Sequence, residues 1–103
     1  GRLAAALRRL LGPKARLETA GTVIAEPGAV AQRWHLDVPH LFSSGTHLPP
    51  HFLAAFVALG DVSLDQGPTE FRIGSHVRAN VVKPAREVTH ACPAGTLIIF
   101  DGR

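Results

Sequence analysis

Two residues that could bind a metal ion, His35 and Asp37, lie two positions apart in the run QRWHLD. On a β-strand, side chains two positions apart point to the same face. A strand over residues 32–37 would therefore place an imidazole nitrogen beside a carboxylate oxygen. These are two of the three ligands in the 2-His-1-carboxylate triad that holds non-haem Fe(II). The alternative is a surface His that only forms a hydrogen bond with a neighbouring Asp.

The other histidines give weaker signals. His76 follows a glycine and a serine in a predicted turn, where we expect its ring to satisfy backbone groups. Three more lie in a long predicted loop over residues 38–51, where solvated and substrate-facing roles are both open: His40, His47 and His51. His90 is predicted to be an exposed strand residue. The spacing of the loop histidines fits no common zinc pattern, and the chain has no pair of cysteines.

The composition is that of a globular domain or part of one. The chain has 103 residues, of which 46% are hydrophobic and 18% are charged. Such values exclude disordered and fibrous proteins. No apolar run approaches the roughly 20 residues that a membrane-spanning helix needs. The single cysteine, Cys92, cannot form an internal disulfide, which favours a reducing location, and we expect a cytoplasmic protein.

The positive net charge is confined to one end of the chain. The net charge is +3, yet five of the eleven Lys and Arg residues lie in the first sixteen positions. From residue 17 onward there are six basic and eight acidic residues, a net charge of −2. Basic residues near the end of a helix complement its dipole. Because the chain has only six aromatic residues and no basic-aromatic stripe, nucleic-acid binding is not expected.

The first sixteen residues are predicted to form a helix and a linker. Leucines recur at i, i+4, i+7 and i+8, namely at positions 3, 7, 10 and 11, which is the spacing of one helix face. Gly12 and Pro13 then end the helix. We therefore predict a helix with its linker over residues 1–16 and a β domain over residues 17–103.

Short strands are predicted along the rest of the chain, separated by turn signals. A β-branched run predicts a strand at residues 22–24, and the apolar run at 52–59 predicts a strand, although one face of a helix remains open there. Residues 69–73 predict a short strand with Phe71 and Ile73 on one face. An edge strand is predicted at 87–91 and a buried strand at 96–100, while residues 77–86 are less regular. This pattern favours a mainly β barrel or jelly roll behind one N-terminal helix.

Several motifs follow one another in a specific order. They are QRWHLD, a Pro-containing loop, FLAAFVALGDVS, DQGPTEF, RIGSH and PAGTLIIFDGR, and they cover about residues 30 to 103. This order resembles the phytanoyl-CoA dioxygenase family. That family consists of Fe(II)- and 2-oxoglutarate-dependent oxygenases on a double-stranded β-helix, a cupin-like jelly roll. The chain departs from the family's NG…PGSH segment only in having Gln66 and Ile73 where Asn and Pro are typical.

The resemblance implies roles for particular residues. His35 and Asp37 match the first two iron ligands, and Phe56 falls where the family often has a residue that packs against 2-oxoglutarate. Gln32 and Thr69 could line the same pocket. The third ligand, a His, is expected just beyond Arg103, and the Arg that pairs with 2-oxoglutarate about ten residues after that His. Arg103 itself is given no role in the site.

We therefore expect the chain to be a fragment, cut at both ends, of a longer oxygenase. It would use Fe(II), 2-oxoglutarate and O₂ to hydroxylate a small-molecule or lipid-derived substrate. The fragment alone is expected to be inactive. Two alternatives remain open, a non-catalytic jelly-roll binding or structural domain and a jelly-roll metalloenzyme that does not use 2-oxoglutarate. Neither the substrate's identity nor the oligomeric state is indicated by the sequence.

Overall fold

One α-helix, four short strands and two 3₁₀ turns, Leu64–Gln66 and Ser75–Val77, make up the regular structure of the described residues. The computed structural model describes residues 1–42, 47–77 and 86–103. Its α-helix and strands in chain order are helix α1 (Arg2–Leu11) and strands β1 (Leu53–Val57), β2 (Glu70–Arg72), β3 (Glu87–Thr89) and β4 (Leu97–Asp101). The corresponding predictions are confirmed, and the fold is β-rich with an N-terminal helix. The proposed domain division at residue 16 stays a prediction.

Helix α1 ends where the sequence indicates. Gly12 adopts a φ of +89°, and its amide donates to the carbonyl of Arg8 at 2.9 Å. A glycine reaches this positive φ without the steric cost that other residues pay. Arg8 and Arg9 occupy the last turn, where their charges complement the helix dipole. In the described part of the chain, no helix is long and apolar enough to span a bilayer.

The strands pair in a nested order. β1 pairs antiparallel with β4, and the two inner strands, β2 and β3, pair antiparallel with each other. The outer ladder continues past its strands, because Val62 and Cys92 exchange backbone hydrogen bonds of 2.8 and 2.9 Å. The second half of the chain is thus a long hairpin whose inner strands form a second small sheet.

Aromatic rings connect the two sheets. Phe100 of β4 lies 5.0 Å from Phe56 of β1 and 5.0 Å from Phe71 of β2, measured between ring centroids. Tilted and edge-to-face arrangements of this kind are favourable. On the other face of β4, Leu97 and Ile99 are 39% and 37% exposed. The prediction of a buried strand here was wrong, because the neighbouring sheet covers only one of its faces.

Two predicted strands are absent. Residues 22–24 and 32–37 form no strand in the structure, and Val23 and Ile24 are 84% and 79% exposed. β-Branched residues favour a strand only where a neighbouring strand and a packed face support it, and none of the described strands pairs with these segments. β2 ends at Arg72, one residue short of the predicted strand, and Ile73 lies in the following turn.

The predicted long loop is irregular wherever it is described. Residues 38–42 and 47–51 form no helix or strand, while residues 43–46 lie outside the described residues. Most of the less regular segment predicted at 77–86, including Pro84, also lies outside them. The two flanks of the loop are held by hydrogen bonds to residues 102 and 103, and these contacts position the candidate site.

Candidate metal site

His35 and Asp37 face each other although their segment is not a strand. Nε2 of His35 lies 3.6 Å from Oδ1 of Asp37, and the two side chains are 57% and 34% exposed. Nδ1 of His35 lies 2.8 Å from the carbonyl oxygen of Arg33. A carbonyl can only accept, so Nδ1 carries the proton in this contact and donates it. In the tautomer with a single proton on Nδ1, the lone pair of Nε2 faces Asp37, and this is the form of a histidine that binds a metal.

The residue before His35 is attached to the inner sheet. The guanidinium of Arg72 lies over the ring of Trp34, 4.1 Å from its centroid. The same guanidinium binds Glu87 of β3 through Nε and Nη2, each 3.0 Å from Oε1. Through Arg72, Trp34 therefore packs on the inner sheet. This stacking anchors one end of residues 34–38, which carry the candidate ligands and are called the ligand segment below.

The residue after Asp37 is attached to the end of β4. The amide of Val38 donates to the carbonyl of Gly102 at 2.9 Å. A Cβ atom on Gly102 would lie 2.7 Å from Cδ1 of Phe52 and 3.3 Å from Cγ2 of Val38, so only glycine fits without displacing its neighbours. The ligand segment is thus held at both ends, by side-chain stacking at Trp34 and by a backbone hydrogen bond at Val38.

The chemistry of this pair fits a divalent metal ion. A neutral imidazole nitrogen and a carboxylate oxygen are common ligands for first-row transition metals. Their separation of 3.6 Å is shorter than the sum of two metal–ligand bonds of about 2.1 Å each, so that one ion can reach both atoms. Within residues 1–42, 47–77 and 86–103, no three His, Cys, Asp or Glu side chains form a group that could hold a metal. The described residues therefore supply two candidate ligands at this point.

Among the described residues, no contact joins the three that are predicted to line the 2-oxoglutarate pocket, Phe56, Gln32 and Thr69. Phe56 is 37% exposed and packs edge-to-face against Phe100. Gln32 lies exposed in the irregular segment before His35, and Thr69 lies exposed immediately before β2. Their role at a cosubstrate pocket stays a prediction.

The remaining histidines lie in three different settings. His76 forms part of a short 3₁₀ turn, and its ring centroid lies 5.9 Å from that of His47 in an edge-to-face arrangement. Nε2 of His40 is buried and has no hydrogen-bond partner among the described residues. His51 and His90 are exposed. The predicted exposure of His90 is confirmed, but this residue lies just after the end of β3 and not in a strand.

Sequence reasoning missed the most buried charged side chain in the described part of the chain. Arg103 is only 4% exposed. Its Nε and Nη2 donate to Oδ1 and Oδ2 of Asp101 at 2.8 and 2.7 Å, and its Nη1 donates to the carbonyl of Leu48 at 3.0 Å. The guanidinium holds the pKa of Asp101 below its ordinary value through these hydrogen bonds. The available signal was the Asp-x-Arg spacing at the end of a strand, which puts opposite charges on one face.

The chain is similar to a known protein family. No solved structure matches the chain. The family model for phytanoyl-CoA dioxygenase matches residues 2–103, which includes both candidate ligands and the buried ion pair. The chain therefore belongs to the phytanoyl-CoA dioxygenase family.

Proposed function

We propose that the protein is an Fe(II)- and 2-oxoglutarate-dependent oxygenase that hydroxylates a small-molecule or lipid-derived substrate. The observation that carries the proposal is the His35–Asp37 pair, with its two ligand atoms 3.6 Å apart, in a chain of the phytanoyl-CoA dioxygenase family. The nested pairing of the strands supports the double-stranded β-helix that we propose for the fold, because a jelly roll winds a long hairpin in this way.

The proposed role of His35 and Asp37 is to hold Fe(II) through Nε2 and a carboxylate oxygen. When bound, the iron together with 2-oxoglutarate and O₂ supplies the oxidising chemistry of this class of enzyme. The carbonyl of Arg33 orients the imidazole and keeps the proton on Nδ1. Partners of this kind fix the orientation of a ligating ring and raise the basicity of its metal-binding nitrogen. The chain's own task is to bind and orient the ligands, since the cosubstrate carries the oxidising power.

A third ligand is proposed to be a His shortly after Arg103. The hydrogen bond between Val38 and Gly102 supports this position, because residue 102 runs beside the residue that follows Asp37. Each further residue of an extended chain advances by about 3.3–3.6 Å. The side chain of a His a few positions beyond Arg103 can therefore reach the same ion as His35 and Asp37.

The cosubstrate pocket is proposed to include Phe56, Gln32 and Thr69. Phe56 offers an apolar ring, and the amide and hydroxyl of the other two offer hydrogen bonds to a carboxylate or keto oxygen. Such a mixture of one apolar wall and a few polar groups is typical of small-molecule sites.

The test uses the protein expressed from its complete reading frame. Succinate formation from 2-oxoglutarate is measured without substrate for wild type, His35→Ala, Asp37→Ala and the control His90→Ala. We expect turnover to fall by more than about a hundredfold in both ligand variants. Even substitution of residues that only hydrogen-bond to metal ligands lowers affinity or activity by about tenfold to a hundredfold. The control replaces an exposed His far along the chain and should retain wild-type turnover.

Each outcome of this test has a clear meaning. Unchanged turnover in both ligand variants, with circular dichroism like that of wild type, would refute the ligand assignment. O₂ consumption that depends on His35 but not on 2-oxoglutarate would favour a jelly-roll metalloenzyme that does not use this cosubstrate. A wild-type protein without metal-dependent O₂ consumption would favour a non-catalytic binding domain.

A further inference from the structure

The buried ion pair formed by Asp101 and Arg103 has every charged atom partnered. Nε and Nη2 of the guanidinium make a bidentate contact with the carboxylate, and Nη1 donates a hydrogen bond to the carbonyl of Leu48. The side chains are 2% and 9% exposed for Arg103 and Asp101 respectively, whereas the Arg72–Glu87 pair on the inner sheet is 40% and 50% exposed. Burying charges is costly unless both members are paired with good geometry. A pair of this kind favours one arrangement of the segments it joins.

The residue between the two charges contacts the ligand segment. Gly102 accepts a hydrogen bond from the amide of Val38 at 2.9 Å, and its own amide lies 3.4 Å from the carbonyl of Phe52. The absent side chain allows this close approach, because a Cβ would overlap the ring of Phe52. The tripeptide Asp101–Gly102–Arg103 therefore contacts Val38, Leu48 and Phe52 at once.

These contacts lie one residue away from a proposed metal ligand. Val38 follows Asp37 directly, and the peptide between them carries the amide that Gly102 binds. The other anchor of the ligand segment, Trp34, is 44% exposed and rests on a surface ion pair of 40% and 50% exposed side chains, which contributes little to stability. Of the two anchors, the 101–103 tripeptide is therefore the more buried and the more closely packed.

We propose that Asp101 and Arg103 are positioning residues that hold Val38, and through it the carboxylate of Asp37, in place for metal binding. This inference rests on the proposed function, because it takes His35 and Asp37 as ligands. Neither residue of the ion pair touches the metal. Their effect on the site passes through the Gly102–Val38 hydrogen bond and the attachment of Leu48.

The first measurement needs no metal. Hydrogen exchange of the Val38 amide is followed in the protein from the complete reading frame, for wild type, Arg103→Lys, Asp101→Asn and Arg86→Lys. Lysine keeps the charge of Arg103 but loses the fork that binds two carboxylate oxygens, so this variant is the one most expected to fold. Loss of charge-assisted hydrogen bonds should speed exchange at Val38 by about tenfold to a hundredfold. The Arg86 variant changes an exposed arginine outside the tripeptide and should leave exchange unchanged.

The second measurement uses Co(II) as a probe of the ligand pair. The dissociation constant and the visible d–d absorption of the Co(II) complex are compared for the same variants and for His35→Ala. We expect Arg103→Lys and Asp101→Asn to bind Co(II) about tenfold to a hundredfold more weakly with an altered spectrum, as outer-shell changes do. A merely structural role would lower stability without changing the spectrum of the folded protein.

The outcomes separate this inference from the function on which it rests. Unchanged Val38 exchange in both ion-pair variants overturns the proposed link to the ligand segment, whether or not metal binds. Faster exchange with wild-type Co(II) affinity and spectrum overturns the positioning role. Wild-type Co(II) binding that His35→Ala does not weaken overturns the ligand assignment, and the exchange data then still decide whether the tripeptide holds Val38.

Discussion

Substituting Gly102 by alanine tests how closely the end of β4 is packed against the ligand segment. The new Cβ would lie 2.7 and 3.1 Å from Cδ1 and Cε1 of Phe52, and 3.3 Å from Cγ2 of Val38. Carbon atoms in favourable contact are about 3.5–4.0 Å apart, so the ring must move by roughly 0.8 Å or the strand must withdraw. Gly102 is not among the glycines with positive φ, and the cost is therefore steric rather than conformational.

The expected loss of stability is about 1–3 kcal/mol, which is the usual cost of forcing one extra carbon into a packed position. Phe52 cannot yield freely, because its carbonyl faces the amide of Gly102 and its chain leads directly into β1. A withdrawal of Gly102 would instead lengthen its 2.9 Å hydrogen bond with Val38. Either response disturbs the attachment of the ligand segment.

The assay is urea unfolding of the protein from its complete reading frame, with Gly60→Ala as the matched control. A Cβ on Gly60 meets nothing within 4 Å, and this glycine also lacks a positive φ. The control should be neutral or more stable by up to about 1 kcal/mol, since alanine restricts the unfolded chain. If Gly102→Ala proves as stable as Gly60→Ala, the close approach of Gly102 to Phe52 is refuted.

Two further predictions follow from the ion pairs. Arg72→Gln should lower stability by about 0.5–1 kcal/mol through loss of the cation–π contact with Trp34. Because Trp34 is the only tryptophan, its emission should also shift to longer wavelength and be quenched more by acrylamide; an unchanged spectrum would contradict the stacking. The second prediction concerns Asp101, whose pKa Arg103 holds below the ordinary value. The unfolded state then binds this proton more readily, so the stabilisation is complete above a pH of about 4 and is lost as the pH falls further. In urea unfolding, Asp101→Asn should differ most from wild type near neutral pH and least once the pH has fallen below the lowered pKa of Asp101 in the folded protein, and a difference independent of pH would show that the ion pair does not titrate in this way.

The local elements could be predicted from the sequence because each has a short-range cause. The leucine spacing and Gly12 determine α1, and the apolar runs with their turn signals determine the four strands to within two residues. Residues 22–24 and 32–37 show the limit of this reasoning. Their composition is typical of strands, but strand formation needs a partner ladder, and no described strand supplies one to them.

The candidate ligands could also be found in the sequence, although by a partly mistaken route. His35 and Asp37 were expected to face each other because of strand alternation. They do face each other, but in an irregular segment held by the hydrogen bond from Nδ1 of His35 to Arg33 and by the stacking of Trp34. The motif and its order along the chain also carried the family resemblance, which the match over residues 2–103 confirms.

By itself, the sequence determined the elements, the candidate ligand pair and the family, since all of these depend on residue types at short spacing. Only the tertiary structure decided which segments meet. No local rule brings Val38, Leu48 and Phe52 together at Asp101–Gly102–Arg103, because these contacts join residues about fifty or more positions apart in the chain. For the same reason the sequence indicated no role for Arg103, because its burial depends on contacts between the end of β4 and the loop at Leu48. Burial and long-range pairing are properties of the folded chain, and they are what positions the candidate site.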